Sequence, residues 1–318
     1  MRVILANPRG FCAGVRRAVE IVERALAWYG DPLYVFHEIV HNSHVVRRLT
    51  EQGVVFVDSV AEVPRGATLV FSAHGVAPEV HEQAHQRRLR VVDATCPLVA
   101  KVHKEARNFA AQKKHIVLIG HVDHDEVVGT VGEAPASIHV VATPAEVNLL
   151  DLPQDAPVAY LTQTTLSLDD VSMIVDRLRE RFPRLVGPAT SDICYATQNR
   201  QEAVRRLAPQ VDLVLVVGSK NSSNCNRLCD VAREMGTSSY LVDDESELEF
   251  SWFGGCEHVL VTAGASVPEE VVREVIHRIQ ALFPAEVVEE PGVVEPEVFP
   301  LPDVLLQPPP SQATAQPG

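Results

Sequence analysis

No apolar stretch in this 318-residue chain approaches the roughly 20 residues of a membrane span. The opening MRVILANPRG lacks the long apolar core of a signal peptide. There is no excess of base: 28 Lys and Arg stand against 42 Asp and Glu, a net charge of −14. A surface that acidic repels nucleic acid and anionic membranes. No Gly-x-Gly-x-x-Gly occurs, and the glycine-led stretch GSKNSSN lacks the Gly-Lys-Ser/Thr ending of a P-loop. Cysteine is sparse as well. Six in a chain of this length form no disulfide framework, and no Cys-x-x-Cys partner accompanies Cys12. The expectation is a cytoplasmic, soluble protein with no nucleic-acid or membrane partner, whose cysteines serve as core residues, nucleophiles or metal ligands.

What the chain does have is core. Hydrophobic residues make up 46%, enough for two or three domains. Short runs such as RVILAN, PLYVF, ATLVFS, RVVDA, HIVLIG, VAYLT, VDLVLVVG and HVLVTAG are near-continuously apolar. This is how parallel strands covered on both faces read. Helical patterns intervene. RRAVEIVERALAWYG ends in Gly30, a good C-cap, and VPEEVVREVIHRIQALF places proline and acids in its first turn. The class is α/β, with ligands expected at the carboxyl ends of strands. Residues 284–318 differ: they hold nine of the 22 prolines, six acidic residues and no Lys or Arg, and read as a disordered tail.

Cys12, Cys96 and Cys194 share one context, each at the start of a helical pattern, and the first two follow an apolar run. Their separations are 96 − 12 = 84 and 194 − 96 = 98 residues, a weak repeat of domain size. It suggests three α/β units, at 1–96, 97–193 and 194–283, each pointing one cysteine at a shared centre. A helix N-terminus favours the thiolate that binds metal. Three thiolates suit an iron–sulfur cluster with one open iron or a Cys₃ zinc site, and spacing does not choose between them. Cys225 and Cys229, four apart on one helix, and Cys256 read as core.

Polar loops follow the other apolar runs. They offer His37 and His41, His74, His121 with His124 and Glu126, Thr164 and Thr165, Ser222 with Ser223 and Asn224, and Ser266. Histidine, serine and asparagine at helix N-termini make a cradle for an anion such as diphosphate. Ser266 with Glu269 also fits a capping box. Glu126, a carboxylate two residues from a histidine, is the general-acid candidate.

Taken in order, ANPRGFCAGV, HEIVHN, FSAHGV, DATCPLV, GH..H.E..GT, TQTTLS, DICYAT..RQ, VVGSKNSSN and TAGAS make the chain similar to the 4-hydroxy-3-methylbut-2-enyl diphosphate reductase (LytB) family over about residues 1–280. The resemblance implies a trefoil of three α/β units around a [4Fe–4S] cluster held by Cys12, Cys96 and Cys194, with the fourth iron open. It implies reductive removal of the substrate's hydroxyl to give isopentenyl and dimethylallyl diphosphate, the last step of the non-mevalonate isoprenoid pathway. It places the diphosphate on His41, His74, His124, Ser222, Ser223, Asn224 and Ser266, the substrate hydroxyl by Thr164, and the proton on Glu126. It implies ferredoxin or flavodoxin as electron donor. Two rivals stand beside it: a zinc hydrolase on the three thiolates, and a regulator that binds a phosphorylated metabolite.

Overall fold

The computed structural model describes residues 1–308. All eight apolar runs form strands, and every strand pairing is parallel. The strands fall into three sheets. The chain opens with β1 (Arg2–Leu5) and α1 (Ala13–Tyr29), which belong to different units. The first sheet to be completed contains β2 (Leu33–Phe36), β3 (Val54–Val57), β4 (Thr68–Phe71) and β5 (Arg90–Asp93) in the order β3-β2-β4-β5. It is flanked by α1, α2 (Ser43–Glu51) and α3 (Pro78–Gln86).

The second unit carries α4 (Pro97–Ala111), β6 (His115–Ile119), α5 (Asp125–Glu133), β7 (Ile138–Val141), α6 (Pro144–Val147), β8 (Val158–Thr162) and α7 (Leu168–Arg181), with strand order β7-β6-β8. The third carries α8 (Tyr195–Leu207), β9 (Leu213–Val217), α9 (Ser223–Glu234), β10 (Ser238–Val242), β11 (His258–Ala263), α10 (Glu269–Leu282) and β12 (Glu286–Glu289). Its order is β10-β9-β11-β1-β12. Central strands such as β9, LVLVV, are buried along their whole length because helices cover both faces.

The domain limits expected from sequence shift at one end. β1 pairs with β11 and β12, Arg2 opposite His258 and Glu286, so the first residues complete the third sheet rather than the first. The three cysteines mark the crossings between units. After β1 the chain passes Cys12, and α1 packs Ile21 and Val22 against Leu33 and Val35 of the first sheet. After β5 it passes Cys96, and α4 packs Val102 and Ala106 against Ile116 and Leu118 of the second. After α7 it passes Cys194, and α8 packs Val204 and Leu207 against Leu213 and Leu215 of the third.

The proline-rich segment is not the disordered tail its composition suggests, at least through residue 308; residues 309–318 lie outside the described residues. β12 adds an edge strand beside β1, and Leu305 is fully buried against α1 and the first sheet. Between them Glu295 meets Arg200 at 2.9 Å, with side chains 8% and 0% exposed. Proline forbids regular structure here but not docking, and few backbone N–H groups are left to satisfy. Glu295→Ala is expected to strand a buried guanidinium. The cost is about 3 kcal/mol, the low end for a broken buried pair, because Arg200 keeps its bonds to the carbonyls of Ala196 and Gly10. Thermal denaturation should show a midpoint lower by roughly 10 °C.

Candidate active site

Eight strands direct their carboxyl ends, and the loops that follow them, toward one cavity at the junction of the three units. Its lining contains Cys12, His41, His74, Cys96, His124, Glu126, Thr164, Cys194, Ser222, Ser223, Asn224 and Ser266. The three cysteines, Glu126, Thr164 and the seven residues expected to hold the diphosphate therefore all line a single pocket. Thr165, Tyr195, Leu98 and Phe299 line it too. The described residues lining it include no lysine and no arginine.

Helix N-termini supply much of the geometry. Cys12, Cys96, His124, Cys194 and Ser222 are the N-caps of α1, α4, α5, α8 and α9. Cys12 Sγ accepts from the Val15 amide, and Cys194 Sγ from that of Thr197, each at 3.4 Å. Tyr195 adds a link across the crossing point, its hydroxyl accepting the Ala13 N–H at 3.2 Å. Gly14 is required beside the thiols: a Cβ there would stand 2.7 Å from Cys96 Sγ and 3.8 Å from Cys12 Sγ.

The helix ends do not leave Cys96 and Cys194 ionised. Burial pushes the Cys96 thiol up to about 12 and that of Cys194 up to about 11, and Cys12 close by adds to both shifts. Burial wins because a desolvated thiolate loses more hydration than a helix end returns. Buried thiols crowded together in this way are a site that a metal centre would deprotonate and neutralise. The donor set therefore fits an iron–sulfur cluster.

The opposite wall is polar. Glu126 is 6% exposed and is gripped by Thr164: the Thr164 amide donates to Oε2 at 2.9 Å, and the Thr164 hydroxyl lies 2.9 and 3.0 Å from Oε1 and Oε2. His124 Nδ1 accepts the Glu126 amide at 3.2 Å. A neutral His124 therefore carries its proton on Nε2. Asn224 is 4% exposed, and neither atom of its amide has a hydrogen-bond partner among the described residues. Such a group in a pocket wall calls for a ligand. The rings of His41 and His74 stack at 4.0 Å and 17°, with His124 edge-on to His41 at 5.4 Å.

Several details depart from the sequence reading. Ser266 is not a helix cap: α10 is capped by Pro268, and the Ser266 hydroxyl donates to the His41 carbonyl at 3.0 Å. Glu269 instead accepts from Arg9 at 2.7 Å. His37 lies behind the lining, donating to Asp125 at 2.7 Å, and His121 opens onto a neighbouring cleft with Asn226 and Arg227. Cys225, by contrast, is the core residue its sequence context suggested and does not line the pocket. It is fully buried, in the space left by Gly218 and Gly264, where added Cβ atoms would meet its sulfur at 2.3 and 2.2 Å. Gly264→Ala is expected to displace the first turn of α9 and Asn224 with it, seen as weaker binding of inorganic diphosphate with the fold retained.

The class of protein is thus a three-unit α/β fold whose crossings deliver three thiols to a pocket with a hydroxyl- and imidazole-lined wall. The LytB protein family model matches residues 3–280. A 4-hydroxy-3-methylbut-2-enyl diphosphate reductase of Burkholderia pseudomallei is 56% identical over 307 residues, covering 96% of this chain and 98% of its own. One from Klebsiella pneumoniae is 51% identical over 308 residues, with 96% and 98% covered. The solved E-1-hydroxy-2-methyl-but-2-enyl-4-diphosphate reductase of Plasmodium falciparum superposes with a TM-score of 0.91 at 36% identity, covering 96% of each chain. A second solved structure, described as the terminal enzyme of the non-mevalonate pathway, gives 0.64 at 34% identity, covering 88% of this chain and 100% of that one. The chain belongs to the LytB family. Neither rival reading, zinc hydrolase or regulator, is supported by these relatives. No helix among the described residues is long and apolar enough to cross a membrane.

Proposed function

We propose that this chain is a 4-hydroxy-3-methylbut-2-enyl diphosphate reductase, which removes the substrate's hydroxyl to give isopentenyl and dimethylallyl diphosphate. The observation that carries the reading is the buried Glu126–Thr164 pair, set in the one pocket that also receives Cys12, Cys96 and Cys194. Those three cysteines would hold a [4Fe–4S] cluster, whose open iron supplies the Lewis acidity and the electrons that breaking a carbon–oxygen bond needs.

The chain's own residues bind, orient and protonate. Ser222, Ser223, Asn224 and Ser266, with His41, His74 and His124, hold the diphosphate, and the idle amide of Asn224 gains its partners there. That anchoring lays the substrate's hydroxyl toward Thr164. Overall, two electrons and two protons enter. One carbon–oxygen bond breaks and leaves as water, and one carbon–hydrogen bond forms on the allylic group. Glu126 stores a proton and passes it through the Thr164 hydroxyl, which is within hydrogen-bond reach of both carboxylate oxygens. Val15, Val40, Leu98 and Val99 line the pocket and keep water from competing for that proton. Ferredoxin or flavodoxin in the cytoplasm supplies the electrons.

Anaerobic incubation of the purified full-length chain with the hydroxylated diphosphate and a chemical reductant tests the reading. Both C₅ diphosphates are expected, from protein containing iron and acid-labile sulfide. Zinc without sulfide, or an unchanged substrate, would overturn it.

A further inference from the structure

A pocket for a polyanion normally contains a lysine or arginine, and the described lining of this one contains neither. Positive charge must then come from helix N-termini and from histidine. Beneath the histidines lies Asp125, the first residue of α5, with its side chain 21% exposed. One carboxylate oxygen accepts from His37 Nδ1 at 2.7 Å. The other stands 3.7 Å from His74 Nδ1 and 3.9 Å from His41 Nε2. His41 meets a second carboxylate at its other nitrogen, Glu38 at 3.2 Å. A negative side chain directly under a diphosphate cradle repels the ligand unless it does something for the rings between them.

We propose that Asp125 is a positioning residue for the cradle: it holds the stacked His41–His74 pair ready to accept a proton, so that a diphosphate group binds together with a proton taken up by that pair. The proposal rests on the reading of the pocket as a diphosphate site. Two imidazolium rings 4.0 Å apart would repel, so the stacked geometry disfavours charge on both rings at once. Without ligand the proton is disfavoured at His74, where burial and the charge of His41 lower the basicity of the ring. Burial also works against ionisation of Asp125, but the His37 hydrogen bond and the neighbouring imidazoles outweigh it and hold the carboxyl at about 2. Its charge is thus permanent over the working range. The titratable groups acting on the pair are His37, His124 and Asp125 at His74 and Glu38 at His41; Asp58 acts one group further out, on His37, and His121 and Glu126 on His124. A bound diphosphate adds negative charge on the open side, and Asp125 supplies it on the closed side. Together they raise the affinity of the rings for a proton.

Calorimetry with inorganic diphosphate on the anaerobically purified full-length protein, at pH 7.5 in buffers of different ionisation heat, counts the protons taken up. Protonation of free diphosphate contributes the same amount to every variant, so differences report the protein. The wild type is expected to take up roughly half to one proton more than Asp125→Asn, with Asp125→Glu close to wild type. Affinity in Asp125→Asn should fall about tenfold at pH 7 and lose its decline toward higher pH. Equal proton counts in wild type and Asp125→Asn, or tighter binding by Asp125→Asn, would overturn the proposal. If Asp125→Asn does not fold, the wild type decides alone, since binding with no proton uptake overturns it. Failure of the wild type to bind diphosphate at all would overturn both this proposal and the functional reading beneath it.

Discussion

Serine in place of Cys12, Cys96 or Cys194 is expected to leave a folded but colourless protein, with iron and acid-labile sulfide reduced to below about a tenth of wild type and no turnover. A hydroxyl is a hard, weakly acidic donor, and it cannot replace a thiolate at a soft metal centre. Each cysteine comes from a different crossing between units, so no neighbouring thiol is placed to substitute. The comparison set is Cys225→Ser, Cys229→Ser and Cys256→Ser. The first two are buried in the third unit's core, and Cys256 packs at its edge with its thiol donating to the Trp252 carbonyl. These three variants should keep their iron. Metal and sulfide analysis under anaerobic conditions makes the measurement, and a Cys12→Ser protein with full iron would dismantle the assignment of the site.

Glu126→Gln is the second large effect. Glutamine keeps the length of the side chain, and its carbonyl can still accept the Thr164 amide that now donates to Oε2 at 2.9 Å. What it loses is a proton that can be given away. Single-turnover kinetics with a chemical reductant should show a fall of about 10²-fold or more. Iron content and binding of inorganic diphosphate should be unchanged, because the thiols and the serine and asparagine side of the cradle lie on other elements and the Glu126 amide that holds His124 stays in place. His124→Ala is expected to invert that pattern, weakening diphosphate binding more than it slows the chemical step. Near-normal turnover in Glu126→Gln would remove Glu126 from the reaction.

The sequence disclosed the strands unevenly, and the reason is burial. The eight apolar runs include every central strand. The four strands that went unread, β3, β7, β10 and β12, all lie at sheet edges. Their residues are partly solvated, as in EVVE of β12, whose four positions are all exposed or half-buried. Without two covered faces, such segments carry no continuous apolar signature. β12 was further hidden by the prolines that follow it.

The pocket was legible because its residues sit just after the buried strands, where a polar loop interrupts an apolar pattern. Cys12, His41, His74, Cys96, Glu126, Thr164, Asn224 and Ser266 all stand out in that way. Asp125 did not, although it lies between His124 and Glu126, because its meaning comes from His37, His41 and His74, between 51 and 88 positions earlier in the chain. Phe299 and Glu295 were lost for a similar reason: only tertiary contact gives them a role, and their local composition pointed to disorder.

The pairing of β1 sets an order of assembly. This strand is made before the rest of its sheet, yet its partners are β11 and β12, some 250 residues later. Throughout synthesis the first sheet can close on residues already present, while β1 waits as an orphan strand with Cys12 behind it. Cys12 therefore cannot take its place beside the other two thiols until β11 and β12 have been made. Delivery of a metal centre to this chain must follow the synthesis of the third sheet rather than precede it.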